Sequence, residues 1–154
     1  SGSTAVNVLR HLPPRIKLTV VTHSLPAMVE AAKYDGINLI SLGGAFNPAT
    51  SSFVGIFAQQ ALSDLRITKA FLCATGVTVE SGMSNTTFLE AEIKRGVVSH
   101  ASSVILVADN SKLGHDATVT FCRLQDISTF VTDQKPAPKF VEFCRAHNIR
   151  LVWE

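Results

Sequence analysis

Short apolar stretches alternate along the chain with amphipathic ones, and little else lies between them. Lys17-Leu18-Thr19-Val20-Val21-Thr22 is β-rich and follows the Pro13-Pro14 break, so it predicts a strand. Ser24 then offers an N-cap for a helix from Leu25 to Lys33, with Pro26 permitted in its first turn. Asp35-Gly36 closes that helix, and Ile37 to Leu42 predicts a second buried strand. Gly43 to Gly55 reads as a loop rich in Gly, Ser and Thr. Ile56, Phe57, Ala61 and Leu65 are spaced for one face of a helix over Ile56 to Leu65.

The second half repeats the rhythm. A strand is predicted over Ala70 to Ala74, then a helix from Phe88 to Ala101 with Phe88, Ala91, Val98 and Ala101 near one side. Val104-Ile105-Leu106-Val107-Ala108 is the clearest strand pattern in the chain. Ser128 to Thr132 and Leu151 to Trp153 predict two more strands, with a helix near Pro138 to His147 between them. Strands apolar on both faces, alternating with helices, imply an α/β fold with a mainly parallel sheet and helices on both faces.

Composition narrows the function classes. A chain of 154 residues reads as one domain over residues 1–154. With 46% apolar and only 17% charged residues it carries more core-forming side chains than a disordered segment. No apolar run approaches the roughly 20 residues of a membrane-spanning helix. A net charge of +2 does not by itself make a nucleic-acid surface. Cys73, Cys122 and Cys144 are odd in number and form no C-x-x-C pair, which argues against a disulfide framework or a zinc site. Free thiols and the lack of a secretory segment point to the cytoplasm. His11, His100, His115 and His147 show no metal-ligand spacing, and no metal or cofactor is expected. The nine Phe residues are scattered and read as core. Asp64, Asp126 and Asp133 are assigned to turns. The chain begins at Ser1, and Ser1-Gly2-Ser3 reads as a tag remnant or as the cut edge of a longer polypeptide.

The polar residues gather where predicted strands end. Thr22-His23-Ser24 follows one strand and Gly43-Gly44 the next; Thr75-Gly76 and Asp109 to Gly114 follow two others. In an open parallel sheet ligands bind outside the carboxyl ends of the strands, and small, hydroxylated residues there suit a compact polar ligand. Ser1-Gly2-Ser3-Thr4 precedes a short amphipathic helix, Ala5 to Leu9, and is either a plain N-cap or an anion-binding nest. Lys112, beside Asp109 and before Gly114, is a compact cation suited to phosphate. Glu90 and Lys94 are four apart, the spacing of an exposed stabilising pair, although Glu90 would reach a ligand if its helix starts at the sheet edge. His23 is a ligand contact or a turn residue.

These motifs, in this order, resemble the C-terminal sensor domain of DeoR-type (GlpR-like) bacterial repressors over nearly the whole chain. The family's D-S-G-[ST]-T loop appears as Ser1-Gly2-Ser3-Thr4 without its Asp, and its T-N-S/N element as Thr22-His23-Ser24. Gly43-Gly44, the segment Ala70 to Val77 with Gly82, and Glu90-Ala91-Glu92-Ile93-Lys94-Arg95 are similar to further family elements. Asp109-Asn110-Ser111-Lys112-Leu113-Gly114 resembles D-x-S-K-[FL]-G, the most specific of the set. The resemblance implies a Rossmann-like fold related to ribose-5-phosphate isomerase and CoA transferases, and a non-catalytic sensor of a phosphorylated sugar. It implies ligand contacts from Ser1, Gly2, Ser3, Thr4, Thr22, His23, Gly43, Gly44, Thr75, Gly76, Glu90, Asp109 and Lys112. Full-length relatives add an N-terminal winged helix-turn-helix, absent here, that binds DNA, and they are commonly homo-oligomers. The alternatives are an aldose–ketose isomerase using Glu90 or Asp109 as base, and an oligomerisation module with a vestigial pocket.

Overall fold

A computed structural model describes residues 2–154; Ser1 and the side chain of Ser3, both expected at the ligand, lie outside the described residues. The chain divides into two compact units, Ser1–Leu65 and Arg66–Glu154.

In the first unit α1 (Ser3–Arg10) is followed by β1 (Leu18–Thr22), α2 (Leu25–Ala31) and β2 (Ile37–Ser41). The two strands pair in parallel from Leu18 opposite Ile37 to Thr22 opposite Ser41. Val6 and Leu9 of α1 bury against Ala27 and Ala31 of α2, with Val20, Ile37 and Leu39 packed alongside. The predicted Gly43–Gly55 loop instead contains a hairpin, β3 (Ala45–Asn47) against β4 (Ser52–Val54). Phe46 and Phe53 face each other across it with ring centroids 5.4 Å apart. Strands of three residues are too short to show a period-two pattern, and cross-strand aromatic contact makes up for the weak sequence signal.

α3 (Ile56–Ser63) closes the unit, but not by the face its sequence predicts. Ala58 and Leu62 are buried, while Ile56 is 59% and Phe57 70% exposed. The reason is a close approach. Gly44 has φ +107°, and a Cβ placed there would lie 2.5 Å from the Val54 carbonyl oxygen and 3.5 Å from the Ala58 Cβ. Only a small helix residue meets that backbone, so Ala58 turns inward there, with Leu62 one turn on, while Ile56 and Phe57 turn out.

The second unit is built on a four-stranded parallel sheet in the order β11-β10-β8-β5, from β5 (Ile67–Leu72), β8 (Ala101–Val107), β10 (Thr129–Val131) and β11 (Arg150–Val152). α5 (Pro138–Ala146) packs Phe140 near Phe130, and Leu106, Phe130 and Phe140 are almost wholly buried. A second sheet was not legible in the sequence: β6 (Gly76–Thr78), β7 (Gly82–Asn85) and β9 (Val119–Cys122) pair antiparallel in the order β6-β7-β9. α4 (Phe88–His100) follows β7.

The chain is thus α/β, with five α-helices among the described residues and parallel pairing in both units. The expectation that every Phe is core fails: Phe121, Phe130 and Phe140 are buried, but Phe46, Phe57, Phe71 and Phe88 are exposed. The three thiols are free. Burial pushes the Cys122 thiol up to about 12 and Cys144 above its ordinary value, so neither is a reactive thiolate near neutrality.

Candidate functional site

In the second unit the chain leaves β5 through Cys73, Ala74 and Thr75 and turns at once into β6. The Thr75 N–H donates to the Ser84 carbonyl at 2.9 Å. Gly76 is required here: a Cβ would lie 2.3 Å from the His115 carbonyl oxygen. Because Gly76 admits that approach, Val77 bridges to Leu113 in parallel, and the Gly114 N–H reaches the Val77 carbonyl at 2.8 Å. Two of the predicted strand-end segments, 75–76 and 109–114, are therefore stitched together.

The second of these is a single 3-10 turn, Asn110–Lys112, capped by Asp109. The Asp109 carboxylate accepts from the Ser111 N–H at 2.9 Å and from the Ser111 hydroxyl. The Ser111 hydroxyl holds the Asp109 carboxyl below the ordinary range; partial burial opposes this, and the Ser111 N–H and the Lys112 charge add to it. Asp133 accepts from the Asn110 N–H at 2.7 Å and from the Thr132 hydroxyl at 3.2 Å. Assigned only to a turn by its sequence, Asp133 fastens the loop that carries Lys112. Among the described residues the Lys112 ammonium has no hydrogen-bonded partner, and its side chain stands next to the Asp109 charge.

The first turns of α4 correct the expectation of an exposed Glu90–Lys94 pair. Thr87 caps the helix, accepting from the Glu90 N–H at 3.4 Å. Glu90 is 5% and Lys94 3% exposed, and they share the buried face with Ala91 and Ile93. The Lys94 ammonium donates to the Cys73 carbonyl at 2.7 Å and to Asn85 Oδ1 at 2.9 Å, and lies 5.1 Å from the centre of the Phe121 ring. The Asn85 amide in turn donates to Glu90 Oε2 at 3.0 Å. Burial pulls the Lys94 ammonium below its ordinary value, and the Glu90 and Cys73 charges oppose that. The partners satisfying this buried cation come from β7 and from the tip of β5, neither of which the helix periodicity reveals. Phe88, expected inward, is instead 61% exposed.

Thr75, Gly76, Glu90, Asp109 and Lys112 thus belong to one connected region of the second unit, joined through Cys73, Val77 and Gly114. Asn85, Lys94 and Asp133 are hydrogen-bonded within the same region and were not among the sequence candidates. Lys94 lay within a quoted motif; for Asn85 and Asp133 nothing in local spacing marks a role.

The remaining candidates lie in the first unit. The Thr22 hydroxyl accepts from the Ser24 N–H at 3.2 Å and the Thr22 carbonyl from the Leu42 N–H at 3.1 Å. Ser24 stands at the N-cap of α2, though its side chain makes no capping bond. His23 is buried, and its carbonyl accepts from the Phe53 N–H at 2.8 Å. Gly43 donates to the Ser41 hydroxyl, and Gly44 makes the close approach to β4. Gly2, with φ +101°, lines a cleft of about 380 Å³ together with Asn7, Arg10, Ser24, Thr50 and Ser51. Thr22, His23, Gly43 and Gly44 do not line it. Glu30, close by, is held below the ordinary carboxylate range, first by the Lys33 ammonium, against some burial, and further by Arg10.

Among the described residues no group of three or more His, Cys, Asp or Glu is arranged to hold a metal ion, and no helix is long and apolar enough to cross a membrane. The sequence model of the DeoR C terminal sensor domain matches residues 1–134. The chain is similar to the HTH-type transcriptional regulator IolR of Bacillus subtilis, 35% identical over 149 residues, which are 97% of this chain and 59% of that protein. It is 34% identical to the HTH-type transcriptional regulator GlpR of Haloferax volcanii over 134 residues, 86% of this chain and 52% of that one. It is 31% identical to the lactose phosphotransferase system repressor of Staphylococcus epidermidis over 139 residues, 88% of this chain and 55% of that one. The chain spans little more than half the length of these relatives.

Proposed function

The chain belongs to the DeoR C-terminal sensor domain family, and from that premise we propose that it is the effector-binding domain of a bacterial transcriptional regulator of sugar catabolism. Its ligand is a phosphorylated sugar. One observation carries this reading: the loop bearing Lys112, its ammonium without a hydrogen-bonded partner among the described residues, is stitched to Val77, the residue after Thr75-Gly76, and the same strand end meets the Glu90 network through the Cys73 carbonyl. A cation and a carboxylate within one connected region suit a molecule with a phosphate and several hydroxyls. Lys112 takes the phosphate and Glu90 the hydroxyl end.

In the first unit the start of α1, with Gly2 in the left-handed region, offers backbone donors and partial positive charge that suit an anion, the alternative place for the phosphate. Thr22, His23, Gly43 and Gly44 are assigned to the ligand by the family motif alone. The parallel pairing supports a Rossmann-like arrangement of the kind found in ribose-5-phosphate isomerase and CoA transferases. The relatives bear the names of transcriptional regulators, which favours a sensor over an isomerase. In the whole protein, a cytoplasmic homo-oligomer in this reading, a winged helix-turn-helix contacts DNA. The ligand then acts by binding one state of the regulator more tightly than another.

Thermal melting against a panel of hexose and pentose phosphates tests the reading. At about 100 times its dissociation constant a native-state ligand adds about 2.7 kcal/mol, so the melting temperature rises by several degrees. A panel that leaves the melting temperature unchanged throughout removes the reading.

A further inference from the structure

The buried network on α4 has a direction. A lysine ammonium donates and never accepts, so the Asn85 atom facing it is the carbonyl oxygen. The same amide therefore turns its N–H2 toward the Glu90 carboxylate. Without Lys94 the carbonyl end of Asn85 loses its buried donor, and only Glu90 is left to orient the amide.

We propose that Lys94 is a positioning residue whose bond to Asn85 fixes that amide, and through it orients Glu90 as a hydrogen-bond acceptor that selects a hydroxyl-bearing, uncharged end of the ligand. The inference rests on the sensor reading only in placing a ligand at Glu90. Its chemistry follows from donor and acceptor roles. A carboxyl oxygen that accepts hydrogen bonds suits a sugar hydroxyl and not a phosphate, so the sugar phosphate lies with its phosphate toward Lys112 and a hydroxyl toward Glu90. Lys94 is 3% exposed, and its bonds to Cys73 and Asn85, with the Phe121 ring at 5.1 Å, occupy its ammonium as a support for Asn85 and not as a phosphate ligand.

The test pairs Lys94→Met, close in length and uncharged, with Asn85→Asp, which keeps a partner for Lys94 but removes the donor to Glu90. On the ligand-free protein the Asn85 side-chain N–H2 proton signal is displaced by its bond to the carboxylate and loses that displacement in Lys94→Met. An unchanged signal overturns the proposal. Calorimetry then compares the sugar phosphate giving the largest thermal shift with its single-deoxy analogues. In the wild type one missing hydroxyl weakens binding by about tenfold or more, the scale of a hydrogen bond to a charged group. In both variants that ratio falls toward one, while affinity for inorganic phosphate stays within about twofold of wild type. Undiminished discrimination in a variant that melts cooperatively overturns the inference and leaves the sensor reading standing. If the N–H2 signal responds but no sugar phosphate binds, the sensor reading falls and takes the ligand-selecting half with it.

Discussion

Two lysines of the second unit show how differently a local motif can be used. Lys94 has the spacing of a surface ion pair with Glu90 and is buried; Lys112 sits in a capped loop of small polar residues and remains without a hydrogen-bonded partner among the described residues. Around Lys94 the neighbours are a carbonyl, an amide, a carboxylate and an aromatic ring, each from a separate stretch of chain. Around Lys112 the bonds hold the backbone: Asp109 accepts from the Ser111 N–H, Asp133 from the Asn110 N–H, and the Val77 carbonyl from the Gly114 N–H. The first region spends its polar groups on one another. The second spends its side chains on loop shape and leaves one cation available, the arrangement expected of a binding loop on a rigid scaffold.

The comparison can be broken where the two regions are joined. Gly76→Ala puts a Cβ 2.3 Å from the His115 carbonyl, a collision with backbone that no side-chain rotation relieves. The expected loss is about 3 kcal/mol or more, read from urea unfolding. Lys94→Ala comes next, because it removes the buried donor to both the Cys73 carbonyl and Asn85 Oδ1 and leaves a void beside Phe121. About 3–5 kcal/mol is expected, as for other broken buried pairs, with a smaller loss for Lys94→Met, which fills the space. A loss below about 1 kcal/mol would show that the region is no more tightly coupled than the loop.

Asp133→Ala tests the loop from outside, freeing the Asn110 N–H at a cost of about 1–2 kcal/mol and weakening any phosphosugar response. Lys112→Ala is expected to change unfolding free energy by no more than about 0.5 kcal/mol while reducing the thermal shift with a sugar phosphate. Equal effects of Lys112→Ala and Lys94→Ala on stability would erase the contrast drawn here.

The finest distinction is in pH. Lys94 is depressed by burial, so below 10.5 the unfolded chain binds the proton more readily than the native one, and its share of stability grows as pH rises toward that value. Asp109 is depressed chiefly by its bond from Ser111, so its share is present above 3.8 and fades as pH falls below it. Lys94→Met should flatten the alkaline slope and Asp109→Asn the acid one. The alkaline measurement is best made with Cys122→Ala, since Cys122, raised to about 12, loses stability as pH climbs from 9.

The strand-end reading of the sequence placed the loop after β8, where it is found. Asp109-Asn110-Ser111-Lys112-Leu113-Gly114 carries its cap, its turn and its cation within six consecutive residues, so its structure is a local property. The helix of Glu90 and Lys94 was located, yet its faces were assigned the wrong way round. Helical periodicity ranks side chains by polarity, and it put Phe88 inside and the two charges outside. Asn85 and the Cys73 carbonyl, which pay for burying Lys94, lie nine and twenty-one residues away in sequence. α3 misled in the same way through Gly44 and Ala58.

What the amino-acid order determined is the alternation of elements, the parallel pairing it implies, and the polar, glycine-bearing loops where strands end. These depend on propensity, capping and turn chemistry within a few residues. The three-residue strands, the inward turn of Ala58 and Lys94, and the fastening of the Lys112 loop by Asp133 were decided by tertiary structure. A buried charge or a close backbone approach is stable only when partners from distant segments meet it, and no local window of sequence contains them.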